Sequence, residues 1–213
     1  METISVERVT LPLQVKTRVF REASPTELVY ISTGTTVVSR SSIAGAVSRK
    51  QFETAVARLE ASHDILRSAV ENGQFVQRVD DNSSVVSWLP SETATADAML
   101  TKLLNAELDT SRGVYNIHVI AGADCLDVFS LSCHAVTDAT SLIELHACLA
   151  YVCDCVVRNE APLLERQAFP SPIDAAVRDA LNSLPEIQAV GGQTSYSGVF
   201  AESHYGAKVM EGR

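Results

Sequence analysis

The stretch from residue 113 to 156 constrains the fold most. "GVYNIHVI" (113–120), "AGAD" (121–124) and "CLDVFSLSC" (125–133) read as two apolar strands joined by a tight turn. Directly after them Leu142, Leu145, Leu149, Val152 and Val156 recur at spacings of three and four, which predicts an amphipathic helix. Ser141 and Glu144 have the spacing of a capping box for it. A hairpin feeding such a helix has to bury both apolar faces in one core, so a mixed sheet covered by helices is expected.

The rest of the chain fits that expectation. Residues 28–47, "LVYISTGTTVVSRSSIAGAV", are rich in Thr, Val and Ile and predict one or two strands with a break near 39–42. Ser48 and Gln51 form a possible capping box ahead of Phe52, Val56 and Leu59, which share one helical face. "ILRSAV", the turn "ENG" and "QFVQRV" predict a second hairpin. "VVSWLP" (85–90) predicts a strand, and a helix from Ser91 carries Met99, Leu100, Leu103, Leu104 and Leu108. From 158 the character changes, because three prolines interrupt "NEAPLLERQAFPSPID". We therefore read residues 1–157 as one lobe and 158–213 as a connector, with a short helix at 174–184 and a polar tail.

Composition narrows the function classes. A net charge of −9 with no basic stripe disfavours nucleic acid and anionic lipid. No run of 18 or more residues is uniformly apolar, and the N-terminus lacks an apolar signal core, so a soluble, cytoplasmic protein is expected. Five cysteines, three of them (Cys148, Cys153, Cys155) inside the helical pattern, suit reduced thiols that fill a helix face. No metal site is expected there, since Cys-x-Cys on a helix points the two sulfurs to different faces.

Chemistry concentrates in "LSCHAVTDATSL" (131–142). His134 stands on the exit of an apolar strand, four positions before Asp138 and just ahead of the helix. Strand-to-helix loops present side chains at a sheet rim, where active sites gather. An imidazole there can take a proton from a hydroxyl, amine or thiol as that group attacks an acyl carbonyl. Asp138 either orients the ring or fixes the loop through an arginine. His63 and His118 read as packed or capping residues, and His146 lies within the helix.

"CHAVTDATS" resembles the H-H-x-x-x-D-G signature of the chloramphenicol acetyltransferase-like acyltransferases, which include condensation domains and polyketide-associated acyltransferases. "FETAVARLEASHDILRSAV" (52–70) is similar to the condensation-domain segment written R-H-x-x-L-R-T. "LDTSRGVYNIHVI" (108–120) resembles the approach to the motif hairpin, and "LLERQAFPSPIDAAV" the crossover between the two halves. The resemblance implies an α/β (α+β) fold, a two-layer mixed β-sheet covered by helices, forming a single lobe. It implies His134 as the general base and Asp138 as structural support, paired with Arg67. Cys133 stands where the first histidine belongs and Ala139 where the glycine does, which makes both candidates for reshaping the substrate channel.

The activity so implied is acyl transfer from a thioester, on coenzyme A or a carrier protein, to an alcohol or amine acceptor in natural-product or lipid biosynthesis. No cofactor or metal is expected, since the thioester is the substrate. Nothing matches the second lobe's D-F-G-W-like segment. A second lobe is therefore expected from another chain, a cleaved C-terminal half or a homodimer, because a lone lobe exposes its apolar channel wall. A non-catalytic binding or scaffold lobe, and a cyclase of a natural-product intermediate, are the alternatives.

Overall fold

A computed structural model describes residues 18–78, 85–90 and 95–183. In chain order the elements are β1 (Val19–Glu22), α1 (Pro25–Ser32), β2 (Thr36–Ala44), α2 (Arg49–Ser62), a 3-10 turn (Asp64–Arg67), β3 (Ser68–Glu71), β4 (Gln74–Gln77), β5 (Val86–Leu89), α3 (Ala96–Leu104), β6 (Tyr115–Ala121), β7 (Cys125–Cys133), α4 (Ala139–Val157) and α5 (Ile173–Ser183). The described residues fall into two units, divided after Val177. The connector at 158–172 lies in the first unit, so the boundary expected at 157/158 falls inside it. The end of α5 belongs to the second unit, and the polar, glycine-bearing tail at 191–213 lies outside the described residues.

The main sheet has the order β2-β7-β6-β5. β2 pairs antiparallel with β7 over its whole length, Thr36 opposite Cys133 through Ala44 opposite Cys125. β6 and β7 form the expected hairpin, and β5 joins parallel to β6, which makes the sheet mixed. Side chains alternate between its two faces. Ile117, Val119 and Val128 meet Phe52, Val56 and Leu59 of α2 and Leu149 and Val152 of α4. On the other face Phe129, Leu131 and Cys133 meet Met99 and Leu103 of α3 and Phe75 of the small sheet β1-β4-β3. Among the described residues α4 alone has the length and apolarity to cross a bilayer, but its Leu142, Leu149 and Val152 are buried in this core.

Local signals explain most elements. Ser48 caps α2 in a full capping box with Gln51. Asn72 and Gly73 both take positive φ (50° and 75°), as a type I′ hairpin between β3 and β4 requires.

Three expectations are corrected. Residues 25–32 form a helix rather than strand, because Ser24 and Glu27 complete a capping box and Pro25 occupies its first turn. β2 runs unbroken through 39–42, since β7 pairs with every residue there. α3 starts at Ala96, with Thr95 as its cap, rather than at Ser91, which lies outside the described residues.

Candidate functional site

β7 ends at Cys133 and α4 begins at Ala139, so 134–138 is the short strand-to-helix loop expected. The His134 N–H donates to Thr35 O (2.9 Å), which ties the loop to the start of β2. Its ring stacks on Tyr30 of α1, centroids 4.7 Å apart. Nδ1 lies 2.7 Å from Thr137 O and can only donate to that carbonyl. The proton is thus fixed on Nδ1, and Nε2 carries the lone pair. Among the described residues Nε2 has no hydrogen-bond partner.

Asp138 is the N-cap of α4. It accepts from the Ser141 N–H and the Ser141 hydroxyl, both at 2.7 Å. The Ser141 N–H above all, and then its hydroxyl, hold the carboxyl below the ordinary aspartate range. The cap expected at Ser141 therefore sits three residues earlier. Asp138→Ala should cost about 1 kcal/mol of stability through lost capping. Thermal melts of that variant and of Asp138→Asn, which keeps a capping oxygen, measure it.

The Arg67–Asp138 ion pair expected from the resemblance is not formed. Arg67 pairs instead with Asp64, three residues earlier in the same 3-10 turn, where side chains at that spacing eclipse. Asp64 also meets Arg166 (3.4 Å), and its N–H donates to Gln167 O (3.0 Å). Arg67 thus braces the connector against the end of α2. A double-mutant cycle on Arg67 and Asp64 should return a coupling of about 1–3 kcal/mol. The same cycle on Arg67 and Asp138 should be additive within about 0.5 kcal/mol.

The cation that lines the same cavity as His134 is Arg21. Its guanidinium grips Glu27 with two bonds, 2.7 and 2.8 Å, and lies over Phe75 and Phe169. Glu27 is buried and also accepts from the N–H groups of Ser24 (2.7 Å) and Ile173 (3.3 Å). Burial alone would raise the Glu27 pKa, but Arg21 and the Ser24 N–H together hold it below the ordinary range. Arg21, Glu27, Thr137 and His134 line one cavity of about 190 Å³.

A larger cavity of about 560 Å³ adjoins it, sharing Val136, Thr137, Ser141 and Pro170, with Leu66, Tyr115 and Leu145 among its apolar walls. Neither Cys133 nor Ala139 lines these two cavities. Cys133 points into the core between β7 and α3, where burial pushes its thiol up. Ala139 opens α4, exposed and without the positive φ that would need glycine. His63 closes α2 and bonds Ser62 and the Leu59 carbonyl. Among the described residues no group of three or more His, Cys, Asp or Glu is placed to hold a metal ion.

Tyr30, Arg21 and Glu27 were not singled out from sequence. The Ser24-x-x-Glu27 capping box was the legible signal for the helix that carries two of them.

No protein-family model matches the chain, and no curated protein matches it. Solved structures do. Polyketide synthase associated protein 5 from Mycobacterium tuberculosis aligns with a TM-score of 0.58 at 17% identity, over 76% of this chain and 40% of that one. The starter condensation domain of rhizomide synthetase aligns with a TM-score of 0.58 at 14% identity, over 75% and 44%. The first condensation domain of the calcium-dependent antibiotic synthetase gives 0.54 at 14%, over 78% and 46%. The chain has a condensation-domain-type fold. This condensation-type lobe spans less than half the length of each of these three structures.

Proposed function

We propose that the chain serves acyl transfer from a thioester, on coenzyme A or a carrier protein, to an alcohol or amine in natural-product or lipid biosynthesis. His134 is the general base. Nε2 takes the acceptor's proton as its oxygen or nitrogen attacks the thioester carbonyl. The C–S bond then breaks, and the imidazolium returns the proton to the departing thiolate. Ester or amide and free thiol are the products, and the protein is unchanged. The observation that carries this reading is the Thr137 carbonyl fixing the proton on Nδ1, which leaves Nε2 basic at the edge of a cavity. Asp138 supports the loop and takes no proton.

In this reading a second lobe completes the channel, from another chain, a cleaved C-terminal half or a second copy. The three structures compared above are each more than twice the length this chain aligns to, which supports that requirement. The same fact favours a second reading, a binding lobe without chemistry of its own. One of the similar structures is a complex of the X-domain and OxyB from teicoplanin biosynthesis. Thiol release from a panel of acyl-coenzyme A and acyl-carrier donors, with and without amine and alcohol acceptors, separates the two. Acceptor-dependent release that requires His134 supports transfer, and its absence supports the binding lobe.

A further inference from the structure

Away from His134, the helix α4 and the edge strand β2 enclose a cluster that the proposed reaction does not use. His146 of α4 is 6% exposed and touches three serine hydroxyls. Ser39 and Ser130 stand opposite each other on β2 and β7, with their oxygens 2.9 and 2.8 Å from Nε2. Ser41, two residues along β2 on the same face, lies 2.6 Å from Nδ1. A cavity of about 260 Å³ adjoins them, lined by Ser39, Ser41 and Ser42 and by Ile143, Ala147 and Ala150. At about 30 Å³ per water this is room for roughly eight waters or one small organic molecule.

Hydrogen-bond capacity decides what the cluster offers. Burial lowers the His146 pKa, so the ring is neutral at pH 7 and has one N–H and one lone pair. Nε2 can engage only one hydroxyl fully. Ser130 is 1% exposed and has no other hydrogen bond among the described residues, so its O–H donates to Nε2. The ring proton is then on Nδ1 and is donated to Ser41. This leaves the Ser41 O–H free to donate and the Ser39 O–H sharing Nε2 with Ser130, so both can turn to a guest from the face of β2 that borders the cavity. The helix side of the cavity is apolar. Arg40, the cation of this strand, is engaged by Asp97 (3.2 Å) and Asp127 (3.3 Å).

We propose that this cavity is a second binding site, for a small uncharged carbonyl compound such as a short-chain amide or ester. Ser39 and Ser41 donate to the carbonyl oxygen, and the alkyl tail rests on Ile143, Ala147 and Ala150. His146 sets the direction of the Ser41 hydroxyl and does not react. The two hydroxyl donors select an acceptor, and the neutral ring with no unpaired cation selects against a carboxylate.

Titration with butyramide, followed by the His146 ring resonances in a carbon–proton correlation spectrum, tests this. Saturable shifts with a Kd of roughly 1–10 mM are expected for so small a ligand. Ser41→Ala should weaken binding about fivefold, the loss of one hydrogen bond. Sodium butyrate at pH 7 should bind at least tenfold more weakly. His134→Ala should bind butyramide as the parent does, which keeps this site separate from the acyl-transfer reading. Absence of saturable shifts, equal binding of butyrate, or undiminished binding by Ser41→Ala would each overturn the proposal.

Discussion

His134→Ala should lower the proposed acyl-transfer turnover by about 10²–10⁴-fold, the range expected for a positioned general base. The melting temperature moves by no more than about 4 °C, since the ring sits at the rim and contributes one stack and one hydrogen bond. The two readouts together are diagnostic. A variant that melts like the parent and still turns over removes the imidazole from the chemistry. A variant that fails to fold makes His134 a structural residue. Tyr30→Phe provides an internal control, because it keeps the stacked ring and should retain most of the activity.

Glu27→Ala should be the most destabilising of the substitutions considered, at about 3–5 kcal/mol. The carboxylate is 1% exposed and holds two guanidinium nitrogens and two backbone N–H groups. Its removal leaves the Arg21 charge partly buried against two phenylalanines without a counter-ion. Chemical denaturation of Glu27→Ala beside the parent gives the size of the loss. The pH dependence has a definite sign. The folded-state pKa of Glu27 lies below its ordinary value of 4.5, so the contribution is complete above that pH. It is lost as the pH falls from 4.5 through the depressed folded value. The acid limb of the parent's stability profile should therefore be shallower in Glu27→Ala, and an equal slope would contradict the assignment.

What could be read from the sequence was what is encoded locally. The α2 capping box, the Asn72–Gly73 turn and the β6–β7 hairpin each depend on residues a few positions apart. The loop carrying His134 was placed for the same reason. α1 was read as strand because the β-branched run Val29 to Thr33 outweighed the signal of Ser24, Pro25 and Glu27 just before it. The partner of Arg67 was taken from a family pattern, whereas Asp64 in the same turn supplied a nearer carboxylate. Tyr30 and Arg21 were missed because one stacks on the loop and the other lines its cavity only through the tertiary fold. Nothing in the spacing of residues 21, 30 and 134 announces that the rings of 30 and 134 stack or that residue 21 lines the same cavity.

That long-range closure links function to folding. The ring at position 134 is held by groups from the first forty residues and from the turn before α4, which come together only when β2 has paired along β7. Partial unfolding that frees the N-terminal elements dismantles this arrangement even while the hairpin persists. The activity proposed for His134 should consequently be lost at or below the denaturant concentration at which the fluorescence of Trp88 changes, and never above it.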